Sequence, residues 1–143
     1  MSTTRFAIIG CGFVADYYMT TLANHPQLEL AGVWDRDEAR LRRFCAFHKV
    51  TAYESLDAVL HDASVTLIAN LTTPESHFEI SKSALMAKKH VYSEKPLAMT
   101  DVEAQDLVAF ADNRHVTPCA APANGLSDAH ALVSAQIAAG TIG

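Results

Sequence analysis

Short apolar runs alternate with amphipathic, helix-like stretches along nearly all of the 143 residues. Strands separated in this way can pair only through helical crossovers, so the pattern predicts an α/β fold built on a doubly wound parallel sheet. Strands are expected at 6–9, 28–34, 50–53, 65–69, 90–93 and 115–119, and helices at 14–23, 37–48, 55–60, 75–89, 100–111 and 127–139. Local chemistry marks several boundaries. Asp37 and Ser55 are placed to cap, and Thr100 followed by Glu103 has the spacing of a capping box. Pro74 precedes one helix, Gly140 ends another, and Lys88 and Lys89 are expected to offset the negative end of the helix dipole.

The first strand runs directly into Gly10-Cys11-Gly12-Phe13-Val14-Ala15. A glycine at position 10 permits a tight turn out of the strand, and one at 12 lets the backbone approach a pyrophosphate with no Cβ in the way. Ala15 keeps the following helix close to the sheet, and that helix points free N–H groups and a positive dipole end at an anion. Arg5 and the apolar residues after it have the look of a short secretion signal, but two glycines interrupt the run and a helix pattern follows it.

In an open parallel sheet, ligands bind beyond the carboxyl ends of the strands, where strand order switches. Four polar features fall at such ends: the glycine turn, Asp35, the loop with Thr72, Thr73 and Pro74, and Glu94-Lys95. Asp35 lies at the spacing where a dinucleotide fold places the acid that accepts the ribose hydroxyls, which favours NAD. Arg36 beside it could pair with a 2′-phosphate, so NADP is the alternative. Lys95, between a strand end and Pro96, is expected to be partly buried and is the candidate catalytic acid or base. His77, one turn into its helix, is the histidine expected near the cofactor. Cys45 and His48 have no second pair of ligands to complete a metal site.

The net charge of −5 argues against nucleic acid as an electrostatic partner. Three cysteines without paired spacing argue against a disulfide scaffold and for a reducing, cytoplasmic setting, with small buried side chains as their expected role. No apolar stretch is long enough to cross a membrane as a helix.

Ala7 to Ala15, Trp34-Asp35-Arg36, Thr73-Pro74 with His77 three residues on, and His90-Val91-Tyr92-Ser93-Glu94-Lys95-Pro96-Leu97-Ala98 together resemble the Gfo/Idh/MocA oxidoreductases, relatives of glucose-fructose oxidoreductase and inositol dehydrogenase. The Glu-Lys-Pro box is the specific part of the likeness. The resemblance implies a dehydrogenase that moves a hydride between a nicotinamide and a sugar or cyclitol hydroxyl. Lys95 would lie beside the nicotinamide and the substrate hydroxyl, Glu94 near the nicotinamide ribose, and the bond before Pro96 would often be cis. The cofactor-binding set is then Gly10, Gly12, Phe13, Val14, Ala15, Asp35, Arg36, Thr72, Thr73, Pro74, His77, Glu94 and Lys95. Such enzymes resemble two-domain homo-oligomers more than twice this long, whose second domain supplies an Asp and a His for proton transfer. Residues 1–120 are therefore expected to form the dinucleotide-binding domain, and 121–143 the beginning of a substrate and dimerisation domain. Asp128 and His130 do not replace the missing pair, since residues two apart on a helix point to different faces. The alternative reading is a stand-alone NAD-binding or redox-sensing module without catalysis.

Overall fold

The computed structural model of the chain describes residues 3–121 and 127–142. Strands β1 (Thr4–Ile9), β2 (Leu28–Trp34), β3 (Leu67–Asn70), β4 (His90–Ser93) and β5 (Pro118–Ala120) form one sheet. They lie in the order β2-β1-β3-β4-β5, every pair parallel. The chain leaves β1 toward β2, then returns past it to β3. The switch in direction therefore lies between β1 and β3, which is where a doubly wound sheet opens a crevice.

Side chains alternate across the pleat and build two cores. Phe6, Ile8 and Ala69 face helices α1 (Phe13–Leu22) and α2 (Glu38–His48), meeting Ala15, Leu41 and Phe44. Ala7, Ile9, Ile68 and Val91 face α3 (Leu56–His61), α4 (Pro74–Met86) and α5 (Asp101–Asp112), meeting Val59, Ala84, Leu85 and Leu107. Burying a side chain such as Ile8 or Ile9 stabilises the fold by about 1.5–3 kcal/mol. Because the sheet is covered by helices on both sides of β1, that strand is apolar throughout its buried half.

Helix starts follow their sequence signals. Asp37 accepts from the Arg40 amide, Ser55 from the Ala58 amide, and Thr100 and Glu103 make the reciprocal capping box. Helix α6 (Asp128–Ala138) is capped by Ser127 and buries none of its residues.

Several expectations change, among them the last strand, expected at 115–119, which forms only at Pro118–Ala120 because His115 takes a left-handed φ of 57°. The strand expected at 50–53 is reduced to one parallel bridge from Ala52 to Val33, because Tyr53 turns in to pack against Gly32. The strand expected at 65–69 pairs as Leu67–Asn70, while Val65 stays in the approach loop. Helix α4 ends at Met86, and Lys88 takes a left-handed φ of 58°. Lys89 does not serve that helix end. Its ammonium donates to the carbonyls of Asp62 (2.6 Å) and Val65 (2.8 Å), closing the loop after α3. The boundary expected at 120–121 leads into 122–126, which lie outside the described residues. Of the three cysteines, Cys11 is buried, Cys45 half-buried and Cys119 exposed, so the buried role holds fully for Cys11 alone.

Candidate functional site

A cleft of about 480 Å³ opens at the switch point, beyond the carboxyl ends of β1, β2 and β3. Gly10, Gly12, Phe13, Val14, Asp35, Arg36, Thr72, Thr73 and Pro74 line it, nine of the thirteen residues expected from the sequence.

The two glycines of the turn have different physical reasons. Gly10 has a φ of +98°, and a Cβ there would sit 2.7 Å from the Leu71 carbonyl and 2.8 Å from the Thr72 amide nitrogen. The fold itself demands this glycine. Gly12 has an ordinary φ of −91°, and a Cβ there would meet nothing within 4 Å. Among the described residues nothing requires the second glycine, so the room above it is free for a ligand. Gly12 also caps α1 without a side-chain hydrogen bond, leaving the first-turn N–H groups without a partner in the helix. An open cradle over uncapped helix amides fits the pyrophosphate of a dinucleotide.

Ala15 is fully buried under the turn, where its small size brings α1 onto the sheet. Asp35 reaches the cleft wall but is only 5% exposed, with its carboxylate directed inward. Oδ2 accepts from the Cys11 amide at 2.8 Å and faces the Arg40 guanidinium at 3.3 Å, and Oδ1 accepts from the Asp37 amide at 2.8 Å. Asp35 therefore ties the end of β2 to the glycine turn and to the start of α2. Burial pushes the thiol of Cys11 up to about 12, and the nearby Asp35 carboxylate adds to the rise.

The loop after β3 is organised by Asn70, which is completely buried. Its Nδ2 donates to the His77 carbonyl and the Ser81 hydroxyl, both at 3.0 Å, and its Oδ1 accepts from the Thr72 hydroxyl at 2.7 Å. His77 does not line the cleft. It is 1% exposed and lies beneath the loop, with Nδ1 at 2.6 Å from the Pro96 carbonyl and Nε2 at 3.1 Å from the Thr72 carbonyl.

Glu94 and Lys95 also lie outside this cleft. Glu94 lines a second groove of about 430 Å³ on the flank of α1, together with Tyr17, Tyr18, Thr21, Tyr92 and Ala121. Phe13 and Val14 line both spaces, so the two meet at the glycine turn. Glu94 accepts from the Tyr18 hydroxyl at 2.8 Å. Burial raises the Tyr18 phenol, and its hydrogen bonds to Tyr92 and Glu94 raise it further, so it remains a donor. The Lys95–Pro96 bond is cis, as the resemblance implied. Lys95 itself is exposed rather than partly buried, since it lies in the loop beyond the end of β4 at Ser93 and no element packs over it among the described residues.

Sequence reasoning passed over Arg40, Tyr18 and the organising role of Asn70. A polar residue ending an otherwise apolar strand was a signal for Asn70. Tyr18 carried none, since its partner lies 76 residues away.

A parallel sheet with its cleft at the switch point, a glycine turn open above and an uncapped helix below define a dinucleotide-binding domain. The sequence matches, over residues 4–121, the family model described as "Oxidoreductase family, NAD-binding Rossmann fold". The chain belongs to the Gfo/Idh/MocA oxidoreductase family and is its NAD-binding Rossmann domain.

An uncharacterised oxidoreductase of Schizosaccharomyces pombe is 32% identical over 124 residues, covering 81% of this chain and 32% of that protein. UDP-N-acetylglucosamine 3-dehydrogenase of Acidithiobacillus ferrooxidans is 31% identical over 112 residues, covering 78% of this chain and 34% of that protein. A solved structure of the latter enzyme superimposes with a TM-score of 0.83 at 27% identity, over 94% of this chain and 43% of that one. GenD2 from gentamicin A biosynthesis, solved in complex with NAD, gives 0.86 at 25% identity, over 96% of this chain and 41% of that one. The chain thus spans about a third of the length of these two sequence relatives. Among the described residues, no helix is long and apolar enough to cross a membrane.

Proposed function

We propose that this domain serves a cytoplasmic dehydrogenase, homo-oligomeric in its full-length form, that exchanges a hydride between a nicotinamide cofactor and a hydroxyl-bearing carbon of a sugar or cyclitol. The observation that carries the reading is the meeting of two spaces at Phe13 and Val14. One holds the open cradle of Gly12, and the other leads to Glu94 and the loop of Lys95. A dinucleotide laid across the turn has its pyrophosphate over the helix amides and its nicotinamide end toward Glu94. The relative that acts, by its name, on a nucleotide-linked sugar supports the substrate class.

Bound NAD supplies a ring carbon that takes up or releases the hydride. The residues of this chain do the holding and the proton work. The α1 amides and Gly12 fix the phosphates, while Thr72, Thr73 and Pro74 wall the cleft opposite them. Glu94, anchored by Tyr18, orients the ribose near the reacting end. Lys95 donates to the substrate oxygen, polarising it or carrying its proton. Its exposure suits a residue that meets a substrate held by another domain, and residues 121–143 would begin that domain. Asp35 ends β2 at the adenosine end of the cleft, and a carboxylate at this place, although held inward and paired with Arg40, supports NAD over NADP.

In the longest natural reading frame, Lys95→Ala should remove most of the turnover while NADH still binds. Turnover at the parental rate would instead favour an NAD-sensing module. Titrating the chain with NADH and NADPH tests the cofactor assignment, and tighter NADPH binding would overturn the role given to Asp35.

A further inference from the structure

His77 is a fully buried ring with a carbonyl oxygen at each nitrogen. One carbonyl belongs to Thr72, in the loop that walls the cofactor cleft, and the other to Pro96, next to Lys95. Carbonyl oxygens only accept, so a ring nitrogen that carries a proton donates to the carbonyl it faces, and the ring is wedged between the two loops. Its own backbone is held in turn, since the His77 carbonyl accepts from the buried amide of Asn70.

The loop it reaches has few other anchors. Glu94 donates its amide to the Asn70 carbonyl at 2.9 Å, the Lys95 amide donates to the Glu94 carboxylate at 3.3 Å, Ala98 is buried in the core, and the Met99 and Thr100 amides then donate to Glu103. Between these points, the hydrogen bond from His77 is what secures the Pro96 peptide among the described residues.

We infer that His77 is a positioning residue that clamps the Lys95 loop to the Thr72 loop, setting the distance between the proton-handling ammonium and the bound cofactor. This rests on the functional reading above. It also separates His77 from direct cofactor contact, because the ring has no exposed face from which to make one.

Two amide-bearing substitutions split the clamp. Asn places an N–H near the position of Nδ1, toward Pro96, and Gln places one near that of Nε2, toward Thr72. NADH affinity, read by fluorescence titration of the chain, reports on the Thr72 loop. Amide hydrogen exchange over residues 94–99, read by mass spectrometry, reports on the Lys95 loop. His77→Asn should weaken NADH more than His77→Gln does, by about fivefold, the effect of one hydrogen bond. His77→Gln should speed exchange over 94–99 more than His77→Asn does, by about tenfold.

A crossed pattern of this kind supports the clamp. Parallel changes in both readouts that simply follow the loss in Tm would show a general packing role and overturn it. If the parent chain bound no NADH, the functional reading would fail, and the exchange measurement would decide the clamp by itself.

Discussion

The difference between the two glycines of the turn converts into a measurable contrast. In Gly12→Ala the new methyl enters open space at an ordinary φ, so the folded chain accepts it. Restricting the unfolded chain is worth about 0.4–1 kcal/mol, and replacing a helix-capping glycine by alanine costs a similar amount, so stability should stay within about 1 kcal/mol of the parent. That corresponds to a Tm moved by no more than about 4 °C. Binding should behave very differently. On the proposed placement a methyl at this point would displace the pyrophosphate from the α1 amides, and each charge-assisted hydrogen bond lost is worth about 1.5–3 kcal/mol. The dissociation constant for NADH should therefore rise about 10- to 150-fold.

Gly10→Ala inverts this outcome. Its methyl would lie 2.7 Å from the Leu71 carbonyl at a φ of +98°. Backbone strain of about 1–3 kcal/mol and the overlap with Leu71 and Thr72 should together cost about 3 kcal/mol or more and lower Tm by about 10 °C or more. The assays are thermal unfolding and NADH fluorescence titration on both variants. Gly12→Ala binding NADH within twofold of the parent while folded, or Gly10→Ala matching it in stability, would refute the reasoning.

Two further outcomes follow from the described environments. With its thiol pushed up to about 12 and its side chain buried, Cys11 should resist a thiol reagent at pH 8 in the folded chain while exposed Cys119 reacts at once, so equal rates would contradict the burial. Hydrogen bonds from Ser64, first by its hydroxyl, and from Tyr53 hold the Asp62 carboxyl down to about 2, below its ordinary 3.8. The folded value is the lower one, so its contribution to stability is present above about pH 4 and is lost as pH falls toward about 2. The deficit of Ser64→Ala or Tyr53→Phe in denaturant unfolding should accordingly be full at pH 6 and shrink across that window, and a deficit independent of pH would sink the assignment.

Much of the architecture can be read along the chain because it depends on neighbours in sequence. Apolar runs bounded by polar turns specify strands, Thr100 with Glu103 specifies a helix start, and Gly10 announces a turn that only glycine can make. The alternation of these local signals, with right-handed crossovers, leaves a parallel doubly wound sheet as the consistent arrangement. The glycine turn and the Thr72 to Pro74 loop then fall at the cleft because strand ends are where such a sheet opens.

What the tertiary structure alone decided depends on pairs far apart in sequence. Asp35 faces inward because the Cys11 and Asp37 amides and Arg40 converge on its carboxylate, and spacing carries no information about that convergence. Tyr18 became an anchor for Glu94, and His77 left the cofactor surface to bridge two carbonyls beneath it. Lys95 stayed in solvent, next in sequence to the Glu94 that lines a second groove. A residue's type and position settle which strand or helix end it occupies, but the direction of its side chain depends on the polar groups that other elements bring within hydrogen-bonding reach. Those groups meet only when the sheet closes.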